Sequence, residues 1–187
     1  VGTVFATRRE IVPGALGGDL GCGMSASRLS GPSCSPTRGD LERILAGWSA
    51  RIPVGDAVFR RGVGTVAPPV GVDLSTRALD HQLPSLLARH LGTLGGGNHF
   101  VELDRDHAGE LWLLVHTGSR GLGAAVAKHH GAAARVTTDA LASLRVDDAV
   151  GAAALADLLA AARFAAANRA EIASAATAVV REVLDVD

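Results

Sequence analysis

At 187 residues, 48% apolar and 20% charged, the chain is long enough for one domain with a substantial core. It contains no uninterrupted apolar run near the ~18 residues of a membrane span and no signal-peptide opening. Its net charge of −1, 3% aromatic content and lack of Tyr argue against RRM-like or OB-like stacking platforms for single-stranded nucleic acid. The charge is uneven, with the first hundred residues mildly basic and the remainder acidic, which permits a polyanionic partner without requiring one. Two cysteines, Cys22 and Cys34, fit a reducing, cytoplasmic compartment better than a disulfide scaffold. The chain opens on Val1 and its only Met is Met24, so a natural start upstream is expected.

In chain order, short apolar pieces between turn residues predict strands at residues 1–6 and 11–12, with a turn at residues 8–9. GGDLGCGM follows, four glycines in eight positions with Asp19 and Cys22 between them. SASRLSG predicts a strand, and GPSCSPTRGD a loop. Asp40 is then placed to cap a helix through residues 41–52, where Leu41, Ile44, Leu45 and Trp48 recur at helical spacing. Glycines and prolines mark residues 51–71 as loop or insertion. Residues 73–92 read as partly helical, broken by Pro84. FVELDRDHAGELWLLVH has hairpin form around Asp106 and Gly109. TGSRGLG reads as a loop, and AAVAKHHGAAARV as the start of a helix. The alanine-rich segment at about 149–184 predicts a long helix capped by Asp147 or Asp148. Its face would run through Leu155, Leu158, Ala162, Ala165, Ile172, Ala176, Val179 and Val183.

Three glycine-rich loops adjoin strands, and each carries metal-ligating residue types: Asp19 and Cys22, then His99, then His116. Glycine admits close backbone approach, and loops on a rigid sheet are where sites are built. Taken singly, Cys22 reads as a small buried hydrophobe, His99 and Asp19 as turn residues, and His116 as structural. Together, one carboxylate, one thiol and two imidazoles form a plausible ligand shell, and their softness favours zinc. Adjacent His129 and His130 read as a solvated helix end, and His81, His90 and His107 as surface or capping residues. GSRGLG, with Arg120, offers backbone N–H groups suited to a phosphate, or simply turns a strand into a helix. Neither a Walker motif nor GxGxxG is present.

Three segments, VGTVFATRREIVPGALGGDLGCGM, HLGTLGGGNHFVEL and LWLLVHTGSRGLG, together resemble the RtcB family of RNA-splicing ligases, and ARFAAANRAEI resembles the helix that follows them. The resemblance covers most of the chain and is weakest across roughly residues 31–88. It implies an enzyme that joins an RNA 3′-phosphate or 2′,3′-cyclic phosphate to a 5′-hydroxyl, with GTP as co-substrate and two Mn2+ ions. It implies Asp19, Cys22, His99 and His116 as metal ligands, with the Cys22 thiolate between two ions. Asn98 and Glu102 would contact the nucleotide, and Arg120 an RNA or nucleotide phosphate.

The same resemblance implies a further metal-binding histidine and a guanylylated histidine downstream, yet no histidine follows His130. The chain is therefore expected to be a single partial catalytic domain, truncated at both ends, with no catalytic nucleophile of its own. The expected fold is α+β, a mixed sheet carrying the glycine loops at one edge with helices outside. Apolar surface left uncovered by truncation predicts association. An archease-like activator is left open, as are the oligomeric state and the RNA substrate. Two other readings stand beside the ligase: a non-catalytic relative, and a metal-dependent phosphoesterase.

Overall fold

The computed structural model describes residues 6–31, 35–136 and 141–184. The strand expected at residues 1–6 falls almost wholly outside them, as does Cys34. The elements run β1 (Glu10–Ile11), α1 (Pro13–Leu16), β2 (Gly23–Leu29), α2 (Arg38–Arg51), α3 (Arg77–Asp80), α4 (Leu83–His90), β3 (Phe100–Arg105), β4 (Leu111–Thr117), α5 (Arg120–Ala133), β5 (Arg135–Val136), β6 (Ala142–Arg145) and α6 (Ala149–Val183). The class is α+β. Among the described residues the sheet is not mixed as expected: two three-stranded sheets, β2-β4-β3 and β1-β6-β5, are antiparallel throughout. Hairpin-length connections such as the one between β3 and β4 permit only antiparallel neighbours.

β4 is central in the larger sheet, and its alternation puts Leu111, Leu113, Val115 and Thr117 inside, the opposite parity facing outward. Against the inner face lies the second half of α6, whose Ile172, Ala176, Val179 and Val180 pack with Leu29, Ile44 and Leu113. The middle of α6, through Ala161 and Phe164, meets Leu83, Leu87, Leu122 and Val126 of α4 and α5. Its start, through Ala154, meets Ile11 and Leu144. One helix of 35 residues, ~50 Å at 1.5 Å per residue, thus threads all three core clusters.

The alanines allow backbones to come close. Gly47 of α2 sits where a β-carbon would meet Val179 at 2.5 Å, and the Trp48 indole N–H donates to the Ala176 carbonyl at 3.0 Å. By length and hydropathy α6 is also long and apolar enough to cross a membrane, although charged and polar residues interrupt its apolar run. Its buried face is core, however, and includes hydrogen-bonded Asp157 and Asn168.

Several local expectations change. Thr37, not Asp40, is the N-cap of α2; Asp40 sits at the third helical position and closes a capping box, its carboxylate accepting from the Thr37 N–H at 2.8 Å. Leu41 and Leu45 of that helix are exposed. The helical stretch is broken just before Pro84 as expected, between α3 and α4, and Pro84 sits in the first turn of α4, where its missing N–H is harmless. α5 starts already at Arg120, inside the expected TGSRGLG loop. On α6 the first-half face runs through Ala154, Ala161 and Phe164, leaving Leu155 41% exposed. In so alanine-rich a segment, hydrophobic period alone does not orient the helix. His130 is 4% exposed, not solvated: its Nε2 meets Asp157 Oδ2 at 2.7 Å, and Asp157 also accepts from the Ser75 N–H and hydroxyl. His90 is half-buried beside Gly121.

Candidate metal centre

The register of the β2-β4-β3 sheet brings three loops to one end. Gly23 of β2 pairs with Thr117, and Phe100 of β3 pairs with His116. Because β4 is antiparallel to both neighbours, residues just before β2 and just before β3 meet the end of β4. Cys22, His99 and His116 hold those three places, and Asp19 stands one turn before Cys22.

The donor atoms of Asp19, Cys22 and His99 all lie within 4.8 Å of one another. Asp19 Oδ2 is 2.7 Å from His99 Nε2, and Cys22 Sγ is 3.7 Å from that nitrogen. His116 joins from the other side, its Nε2 3.5 Å from the same sulfur. The thiol is therefore shared between two imidazoles, only one of which also has a carboxylate.

Both rings are oriented by backbone. His99 Nδ1–H donates to the Leu94 carbonyl at 2.9 Å, and His116 Nδ1–H to the Gly23 carbonyl at 3.0 Å. In the neutral ring those bonds fix the tautomer and turn the Nε2 lone pair toward the cluster. At His99 that lone pair faces a carboxylate oxygen at 2.7 Å, an arrangement that needs a positive centre between them: a proton on Nε2 or a cation. The second carboxylate oxygen, Asp19 Oδ1, is buried with no hydrogen-bond partner. The carboxylate lies directly over Gly118, where any β-carbon would overlap it.

Burial pushes the Cys22 thiol above its ordinary value, and the Asp19 charge adds to this, while Arg169 pulls the other way. A bound cation would reverse the first two effects by favouring the thiolate. The donor set of two lone-pair nitrogens, a carboxylate and a thiol suits a divalent ion.

The remaining expected residues flank this cluster unequally. Asn98 is exposed, and its Nδ2 donates to His116 Nε2 at 3.4 Å. Glu102 is exposed on β3, opposite Leu114 and two residues along the outer face from Phe100. Arg120 has φ 53°, unusual for a non-glycine residue. Its guanidinium packs against Gly95, in the loop leading to His99, and its Nε is buried without a partner.

Two residues of α6 were not singled out from sequence. Asn168, fully buried, accepts from the Gly92 N–H at 2.7 Å and donates to the Thr93 and Gly118 carbonyls at 3.0 and 3.3 Å. Arg169 Nη1 donates to the Gly21 carbonyl at 2.9 Å and the Thr117 carbonyl at 3.1 Å. The only sequence signal was a polar pair interrupting an alanine face.

An α+β frame with carboxylate, thiol and imidazole donors meeting at one sheet end defines a candidate cation pocket. Comparison with known proteins agrees on the lineage. Residues 71–187 match the family model of tRNA-splicing ligase RtcB, and the chain belongs to that family. It is 36% identical over 144 residues to RNA-splicing ligase RtcB1 of Escherichia coli (strain ATCC 25922), covering 67% of this chain and 34% of that protein. It is 34% identical over 140 residues to RNA-splicing ligase RtcB of Escherichia coli (strain K12), with the same coverage. RNA-splicing ligase RtcB2 of the first strain is 27% identical over 157 residues. The chain spans about a third of the length of the curated relatives it matches.

Proposed function

We propose that the chain is the metal-holding part of a GTP-dependent RNA ligase catalytic domain, one that joins RNA 3′-phosphate or 2′,3′-cyclic phosphate ends to 5′-hydroxyl ends. The observation that carries this reading is the His99–Asp19 pair: an imidazole lone pair held against a carboxylate, with the Cys22 sulfur alongside and His116 beyond it. Asp19, Cys22 and His99 would hold one ion, and Cys22 with His116 would contribute to a second. Two divalent cations, Mn2+ by family likeness, would neutralise phosphate charge and organise an in-line displacement.

The chain's own residues supply orientation. The Leu94 and Gly23 carbonyls accept from the Nδ1–H of each imidazole and so turn each Nε2 toward the Cys22 sulfur. Gly118 makes room for the Asp19 carboxylate. Asn98, hydrogen-bonded to the metal-facing nitrogen of His116, is placed to turn its amide toward a nucleotide phosphate, with Glu102 further along the same open face. Arg120 would present positive charge to an RNA or nucleotide phosphate. A thiol in such a shell suits a reducing, cytoplasmic setting.

Titration of the 187-residue chain with Mn2+ and Co2+, followed by calorimetry and by cobalt absorption, tests the pocket. The expected result is saturable uptake with a thiolate-to-cobalt band, lost in Cys22→Ala. No uptake by the parent chain refutes the reading. With labelled GTP and Mn2+, this polypeptide is expected to form no stable guanylate adduct, since no histidine follows His130. Phosphoesterase activity without nucleotide would favour the hydrolase alternative instead.

A further inference from the structure

We infer that Arg169 is a positioning residue for the Cys22 sulfur: it locks the Asp19–Cys22 loop to the end of β4 and so fixes the gap between the thiol and the two imidazoles. This rests on the cation-pocket reading. A single nitrogen, Nη1, donates both to the Gly21 carbonyl at 2.9 Å and to the Thr117 carbonyl at 3.1 Å. The first carbonyl belongs to the residue before Cys22 and the second to the residue after His116. On the far side of Cys22 the same guanidinium lies 3.5–3.6 Å from where a side chain at Gly23 would begin. Arg169 therefore holds the backbone before the cysteine and flanks the residue after it.

The helix beneath allows the loop little freedom. Gly21 has φ 70°, and a β-carbon there would stand 2.8 Å from the Ala162 Cα and 3.0 Å from the Ala165 Cβ. Ala162 and Ala165 precede Arg169 at helical spacing, so one stripe of α6 both supports the loop and grips it. Asn168, next along, holds Gly92, Thr93 and Gly118 in the neighbouring loops.

Arg169 has no salt-bridge partner among the described residues, unlike Arg51, which pairs with Glu182. Its charge is spent on two carbonyls beside a thiol. The apolar contacts of α6 anchor the helix at three clusters without Arg169.

The test uses the 187-residue chain with Co2+ as probe, at a temperature where circular dichroism shows every variant folded. Arg169→Met is expected to weaken Co2+ binding about tenfold or more, in the range for residues that orient ligands, and to diminish the thiolate-to-cobalt band. Arg169→Lys should recover most of both, because one ammonium nitrogen can also serve two carbonyls. Ile44→Val, which removes one buried methyl where α2 packs on α6 and disturbs no polar contact of the loops, should leave both unchanged. A folded Arg169→Met chain with parental affinity and band overturns the inference. If the Met variant does not fold, Arg169→Gln takes its place with the same two outcomes. A parent chain that takes up no Co2+ overturns the cation reading and this inference with it. Parental uptake with an unaltered Arg169 variant overturns this inference alone.

Discussion

Replacing Asn168 with Ala should be among the costliest single substitutions in the chain that removes no apolar volume. The side chain is fully buried and makes three hydrogen bonds, all to backbone: Gly92 N–H, Thr93 C=O and Gly118 C=O. At roughly 1 kcal/mol net per bond the loss is about 3 kcal/mol, and more if the abandoned groups find no water. For a domain of this size each kcal/mol lowers the melting temperature by ~2–4 °C, so a fall of about 6–12 °C is expected. Asn168→Asp separates hydrogen bonding from packing. It keeps the acceptor toward Gly92 but turns a carboxylate oxygen toward two carbonyls. Burial and those carbonyls favour the neutral acid, so the folded-state pKa of the new group lies above its unfolded value. The Asp variant is then nearest the parent in acid and loses stability as pH rises through that folded value, whereas the Ala variant shows no such slope. Thermal melts across pH 4–8 (about the range where such a group titrates) measure both. An Asn168→Ala melting point within about 2 °C of the parent refutes the reasoning, since it would mean the three bonds contribute under ~1 kcal/mol in all.

Other consequences are open to direct measurement. Gly118→Ala puts a methyl where the Asp19 carboxylate lies, at a position without positive φ, so Mn2+ or Co2+ affinity should fall at least about tenfold while the melting point holds or rises slightly; equal affinity would show that Asp19 is not held there. Because burial and Asp19 raise the Cys22 thiol, cation uptake must release its proton, and affinity should climb about tenfold per pH unit below the thiol's pKa. Calorimetry in two buffers of different ionisation enthalpy should count roughly one proton, and a count of zero would mean the sulfur stays protonated. Asp40, held at about 2 by the Thr37 hydroxyl and N–H and by Arg43, is a depressed carboxylate. Its contribution to α2 is present above the ordinary 3.8 and is lost as pH falls toward about 2. Thr37→Ala should therefore raise the Asp40 pKa, read by carboxyl NMR titration, and an unmoved value would show that the capping box does not set it.

The parts of the fold that could be read from the sequence are those governed by local chemistry. The β3–β4 hairpin follows from alternation on both sides of a polar turn, and Gly109 at φ 85° supplies the turn's left-handed residue. Asp148 caps α6 as expected, accepting from the Gly151 N–H at 2.8 Å. What failed was orientation where composition is degenerate. In residues 149–166 alanine occupies both faces, so the buried side is chosen by where Phe164, Asp157 and Asn168 find partners, and those partners come from α4, α5 and distant loops. His130 was misread for the same reason: its burial depends on Asp157, 27 residues away, and adjacency to His129 says nothing about it.

The site divides along a similar line. Donor types were visible as residues between glycines, but their convergence is a property of sheet register. The Gly23–Thr117 and Phe100–His116 pairings alone bring positions 77 and 94 residues apart within 3.7 Å of one sulfur. Neither pairing can be inferred from the loops themselves. It is fixed on the other side of the sheet, where Leu29, Leu113 and Val115 must all face α6, since a one-residue slip would turn each of them outward. The glycines then decide which loop can approach which: Gly21 seats the first loop on Ala162 and Ala165, and Gly118 leaves room for the Asp19 carboxylate. Core packing thus sets the ligand geometry from behind. It follows that a substitution which shifts β4 by one residue should abolish cation uptake even with all four donors intact, whereas surface changes on β3 beyond Glu102 should not affect it.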